Sequence, residues 1–129
     1  MYDMKSDPRF RAIYRGLDQL FNDELHRLLN HIRADGRLVC DEVNYDADSR
    51  SWCPLAVALD VPSYVNDVRL NDGLSDGVAK RLILDVGRRS RPDFSLNPIH
   101  GVPGHFFRES RRQDIETVCL QILSQRAPY

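Results

Sequence analysis

"SDPRFRAIYRGLDQLFNDELHRLLNHIRADG", residues 6–36, is the stretch whose reading decides the fold class. Apolar side chains recur at Phe10, Tyr14, Leu17, Phe21, Leu25, Leu28 and Ile32, in steps of four, three, four, four, three and four. Those steps trace one face of a helix. Ile13, Leu20 and Leu29 broaden the face into the wide stripe of a core-facing helix, rather than the narrow seam of a coiled coil. Asp7 is placed to cap the N-terminus and Pro8 fits the first helical position. Gly36 is placed to close the helix in a left-handed cap. The expectation is one long N-terminal helix, with Gly16 and the Phe21-Asn22-Asp23 step as the points where it can bend or divide.

Outward from that helix the pattern changes. In "RLVCDEVNYD", residues 37–46, Val39, Val43 and Tyr45 alternate with Leu38 and Cys40, as in a short strand. Asp46 to Ser51 form a turn cluster. "WCPLAVALD", residues 52–60, reads as a second strand or as a short inner helix, and Pro54 after Cys53 favours the helix with Cys53 at its N-cap. "VPSYVNDVRLNDG", residues 61–73, reads as irregular, with a turn at Asn71-Asp72-Gly73. Ser75 caps a helix over 76–87 whose buried side is expected at Val78, Leu82 and Val86, with Ala79 and Ile83 beside them and Gly87 as its stop. Residues 88–109 carry Pro92, Pro98 and Pro103 and read as a long irregular segment. Ser110 to Gln113 has a capping-box pattern. It opens a last helix with Ile115, Val118, Cys119 and Ile122 facing inward. The fold class is therefore α+β and helix-rich: a long first helix, a short β-hairpin or strand, and two to three further helices around one core.

Composition bounds the rest. The 129 residues fit one globular domain, 1–129, and 42% hydrophobic with 29% charged residues excludes a wholly disordered chain. A formal net charge of −1 gives no global field toward nucleic acid or membrane. The longest clean apolar run, "PLAVAL", is too short to span a bilayer, and the start "MYDMKSDPRF" has no apolar signal core. Cys40, Cys53 and Cys119 fall in no CxxC or Cys/His metal spacing, which predicts a cytoplasmic protein with reduced thiols, no metal and no cofactor.

Three constellations can carry function. The first is Cys53: a thiol at a helix N-terminus is acidified by the unpaired N–H groups, and His105 with Asp114 could complete a thiol hydrolase or transferase. The bare order Cys, His, acid resembles that of papain-like and cell-wall thiol peptidases. Only the order is shared, because those folds place the histidine on a sheet for which this chain has no strands after residue 65. A small buried thiol beside Trp52 is the simpler reading of Cys53.

The second is the segment 88–112. Arg88, Arg89, Arg91, Arg108, Arg111 and Arg112 stand there against Asp93 and Glu109, a local excess of four positive charges. Phe94, Phe106, Phe107, His100 and His105 lie between the two groups. Arginine interleaved with rings can hold anionic groups and stack on bases. The preference of the chain for arginine, 16 Arg against Lys5 and Lys80, dilutes that signal. The third is the acidic run Asp41, Glu42, Asp46 and Asp48, which lacks the glycine and terminal glutamate of a calcium loop and reads as a polar turn. His26 and His31 are five apart and share no metal-binding face.

The function expected from these features is a small non-enzymatic interaction module that meets an acidic protein or other anionic partner through the arginines and His100 and His105. Alternatives are the thiol enzyme and a homo-oligomeric structural subunit, a homodimer paired through its first helix.

Overall fold

The computed structural model describes residues 2–40, 43–68, 74–96 and 106–126. After a 3-10 turn at Met4–Ser6 come α1 (Arg11–Leu17) and α2 (Asn22–Arg33). A two-residue-per-strand hairpin follows, β1 (Tyr45–Asp46) and β2 (Ser51–Trp52). Then come α3 (Pro54–Ala58), α4 (Val61–Val68), α5 (Asp76–Arg88) and α6 (Arg112–Arg126). The strands pair antiparallel, Tyr45 opposite Trp52 and Asp46 opposite Ser51. The architecture is the helix-rich α+β class expected from sequence.

The long first helix is two helices. The chain turns at Asp18 to Phe21, and Phe21 is extended (φ −77°, ψ 163°). Tertiary partners satisfy the broken ends. Arg126 of α6 donates to the carbonyls of Asp18 (2.8 Å) and Leu20 (2.7 Å), while the Phe21 N–H donates to Glu24 Oε1 at 2.8 Å. Phe10, Ile13, Tyr14, Leu17, Leu20, Leu25, Leu28 and Leu29 are buried as the periodicity requires. Phe21 is not: it sits at the corner and is 46% exposed. Asp7 and Pro8 precede α1 in a turn rather than opening it. Asp7 Oδ1 accepts from the Arg9 N–H and its carbonyl from the Arg11 N–H.

At the far end of α2 the left-handed residue is Asp35 (φ 61°), one position before the expected Gly36. The Gly36 N–H donates to the His31 carbonyl and the Asp35 N–H to that of Ile32, the paired bonds of a Schellman cap. Glycine at 36 lets the His31 ring lie against the backbone, where a Cβ would make the ring shift.

"SWCPLAVA" is both a strand and a helix. Trp52 ends β2, Cys53 takes the N-cap position and Pro54 begins α3, which is buried throughout. α3 packs on α2, and α6 packs on both α1 and α2. Residues 61–68 are helical rather than irregular. Asp60, left-handed at φ 60°, ends α3, and its side chain accepts from the Ser63 hydroxyl to start α4. Val61 and Val65 then face the core one turn apart. The expected turn at residues 71–73 lies outside the described residues.

Ser75 caps α5 as expected, accepting from the Val78 N–H at 3.2 Å. Its buried face is Ala79, Ile83 and Gly87, and Val78 is exposed. Gly87 does not stop the helix. It sits inside it as a notch for the Phe94 ring, which a Cβ would strike. Gly16 of α1 makes the same notch for Phe106. α6 buries Ile115, Val118, Cys119 and Ile122. Its first turn is closed by Asp114 Oδ2 accepting from the Arg111 N–H at 3.1 Å, not by the Ser110–Gln113 pair that the sequence suggests. Ser110 instead donates to the Phe107 carbonyl.

Candidate functional site: the arginines and the cleft at the start of the last helix

The two arginine groups of residues 88–112 are not one surface. Arg91 donates to Glu24 near the N-terminus of α2, at 2.6 and 2.7 Å, and to the Gln19 carbonyl at 3.0 Å. Its guanidinium lies 4.0 Å from the Phe21 ring centroid. Arg112 reaches the opposite end of α2, donating to the carbonyls of Gly36 (2.6 Å) and Ile32 (3.4 Å). A cation opposes the N-terminus of its own helix, but here it complements the C-terminus of another. Arg88 donates to the Phe94 carbonyl at 3.1 Å, and Arg89 stands over the exposed Tyr64 ring at 5.6 Å.

The intervening rings serve the core. Phe94, Phe106 and Phe107 are buried and pack in the core, and Phe106 also lines the edge of a surface cleft. His100 and His105 lie outside the described residues.

Arg108 and Arg111 line a cleft of about 500 Å³ where the chain enters α1 and α6. Arg9 lines it too, with Glu109, Ser110 and Asp114 and the apolar Ile13 and Phe106. Asp114 is buried and bonded to Arg9 at 2.9 Å, which fixes that arginine at the cleft wall. Arg111 is exposed, and among the described residues its guanidinium has no hydrogen-bond or ion-pair partner. Glu109 turns the chain at φ 58°. No local signal marks Arg9, because Asp114 is 105 residues away in sequence.

The thiol constellation is not assembled among the described residues. Cys53 is 3% exposed and burial pushes its thiol up to about 11, partly offset by the Ala56 and Leu55 N–H groups of the α3 N-terminus. The nearby Asp76 carboxylate raises it further. Asp114 is committed to Arg9 and the Arg111 N–H. Cys119 is also buried, its thiol raised to about 12.

In the acidic run, Asp46 accepts from the Asp48 N–H and the Ser49 hydroxyl as a turn does, and Asp41 and Glu42 lie outside the described residues. Among the described residues no group of three or more His, Cys, Asp or Glu side chains could hold a metal ion. No helix among them is long and apolar enough to cross a membrane.

No protein-family model, curated protein or solved structure matches the chain.

Proposed function

We propose that the protein is a small, non-enzymatic interaction module of the cytoplasm that meets an acidic protein partner. The contact is centred on Arg108 and Arg111 with Arg9 beside them. The observation that carries this reading is the cleft lined by those three arginines, with the guanidinium of Arg111 making no hydrogen bond or ion pair among the described residues. Arg91 and Arg112 belong to the scaffold, because each spends more than one guanidinium hydrogen bond on its own chain, and none of Arg88, Arg91 and Arg112 lines this cleft. A guanidinium fork suits a carboxylate of the partner, and the exposure of Arg111 makes the contact sensitive to salt.

Two features speak against the thiol-enzyme reading: the buried, poorly ionised Cys53, and the engagement of Asp114 elsewhere. Pairing of two copies through the first helix has little to work with, since the apolar stripe of α1 and α2 faces the core.

The test is Arg108→Gln combined with Arg111→Gln, sparing Arg112. A glutamate-rich peptide titrated at two salt concentrations should bind wild type more tightly at low salt. The double variant should fold normally, bind less and lose most of the salt dependence. Equal binding and equal salt dependence in the two proteins would reject this surface.

A further inference from the structure

A second concave surface lies between the hairpin, the end of α2 and α4, and it shares no lining residue with the arginine cleft. It encloses about 280 Å³. Its floor is Tyr45 and Trp52, tilted against each other with centroids 4.6 Å apart, and its walls are Val57, Val65, Leu74 and Pro62. His31, Arg37 and Arg50 complete it, and among the described residues no Asp or Glu lines it. An apolar floor under a purely basic rim asks for a ligand with one ring and one negative charge.

The rim has donors to give. Arg37 spends one N–H on the Ser49 carbonyl at 3.0 Å and keeps the remainder of its fork. The Arg50 guanidinium has no hydrogen-bond or ion-pair partner among the described residues. His31 is held by contact of Nε2 with the Arg37 carbonyl at 2.7 Å, which ties the α2 end to the rim. Size narrows the class. An apolar cavity of about 150 Å³ accepts benzene, so this groove has room for a single ring with a carboxylate arm.

We infer that the groove binds a small monocyclic aryl carboxylate, with the ring on the Tyr45–Trp52 floor and the carboxylate between Arg50 and Arg37. A ring without charge would satisfy only the floor, and a carboxylate without a ring only the rim.

Trp52 is the single tryptophan of the chain, so its emission reports on the groove directly. Phenylacetate should change that emission saturably, with a dissociation constant in the millimolar range or below. Acetate should not change it. Phenylacetamide should bind roughly tenfold more weakly than phenylacetate, and Arg50→Gln should weaken phenylacetate binding by a similar factor. Saturation-transfer NMR on the ligand protons gives a second readout. Absence of saturable binding in either readout overturns the inference, as does equal binding of acid and amide. Undiminished binding in both Arg50→Gln and Arg37→Gln does the same. Circular dichroism checks the variants, and if one unfolds, the acid–amide comparison on wild type decides alone.

Discussion

Arg91 grips Glu24 with two hydrogen bonds of 2.6 and 2.7 Å while its guanidinium lies over the ring of Phe21. Both charged side chains are largely buried, at 14% and 12% exposure. The pair joins the chain after α5 to the corner between α1 and α2, and Glu24 also receives the N–H that begins α2. Removing one partner leaves the other charged in a poor solvent, at a cost of about 3–5 kcal/mol. Arg91→Ala and Glu24→Ala should each lower the unfolding free energy measured in urea by that amount. The double variant should lose much less than the sum of the two. Arg91→Lys should not rescue, because an ammonium cannot make the fork. Additive single losses in the cycle would show that the two side chains act separately.

Phe21 and Leu25 separate the periodicity from the structure. Leu25 is fully buried and Phe21 is at the exposed corner. Leu25→Ala should cost about 2–5 kcal/mol, and Phe21→Ala clearly less than the 3–5 kcal/mol of a buried phenylalanine. Equal losses in chemical denaturation would restore a continuous first helix.

Gly87→Ala improves helix propensity by about 1 kcal/mol in an exposed setting. Here the new methyl meets the Phe94 ring, so the variant should instead lose about 1–3 kcal/mol through overpacking. In a Phe94→Leu background the same change should cost less. A rise in thermal midpoint on Gly87→Ala alone would mean that the ring does not occupy the notch.

Cys53 should react slowly with iodoacetamide at neutral pH, because burial both blocks the thiol and holds its pKa near 11. Mass spectrometry should place the early label on the half-buried Cys40 rather than on Cys53 or Cys119. Prompt labelling of Cys53 in the native protein would revive the thiol-enzyme reading.

The same burial makes stability depend on alkaline pH. Both buried thiols have folded pKa values above the 9.0 of an unperturbed thiol, Cys53 at about 11 and Cys119 at about 12. The unfolded chain therefore loses these protons first as pH rises. Their contribution is fully present below pH 9 and declines between pH 9 and the folded values. Denaturation midpoints at pH 8 and pH 10.5 should differ, and Cys53→Ala with Cys119→Ala should remove part of the difference. An identical pH profile in that double variant would assign the alkaline loss to other groups.

The sequence by itself determined which residues seek the interior along most of the helices. A 3.6-residue period, a proline after Cys53 and a serine before Asp76 act within a few residues, and they mark α1, α2, α3, α5 and α6. It also marked the turn chemistry of Asp46 to Ser51, because an aspartate can accept from its own backbone two residues on. Local signals marked the Phe21-Asn22-Asp23 step as a point where the first helix could divide, but not that it does. That corner exists because Arg126 satisfies the carbonyls left open by α1, Gln19 exchanges hydrogen bonds with Ser95, and Arg91 meets Glu24. These partners are between 67 and 108 residues apart in sequence. The buried face of α5 was likewise decided by Phe94 filling the notch at Gly87. The arginines show the same limit. Six look alike in the sequence, yet only packing distinguishes Arg91 and Arg112, whose charge is spent inside the fold, from Arg111, whose charge is presented outside. A guanidinium is a donor fork wherever it stands, and the acceptors within its reach are set by the tertiary structure alone.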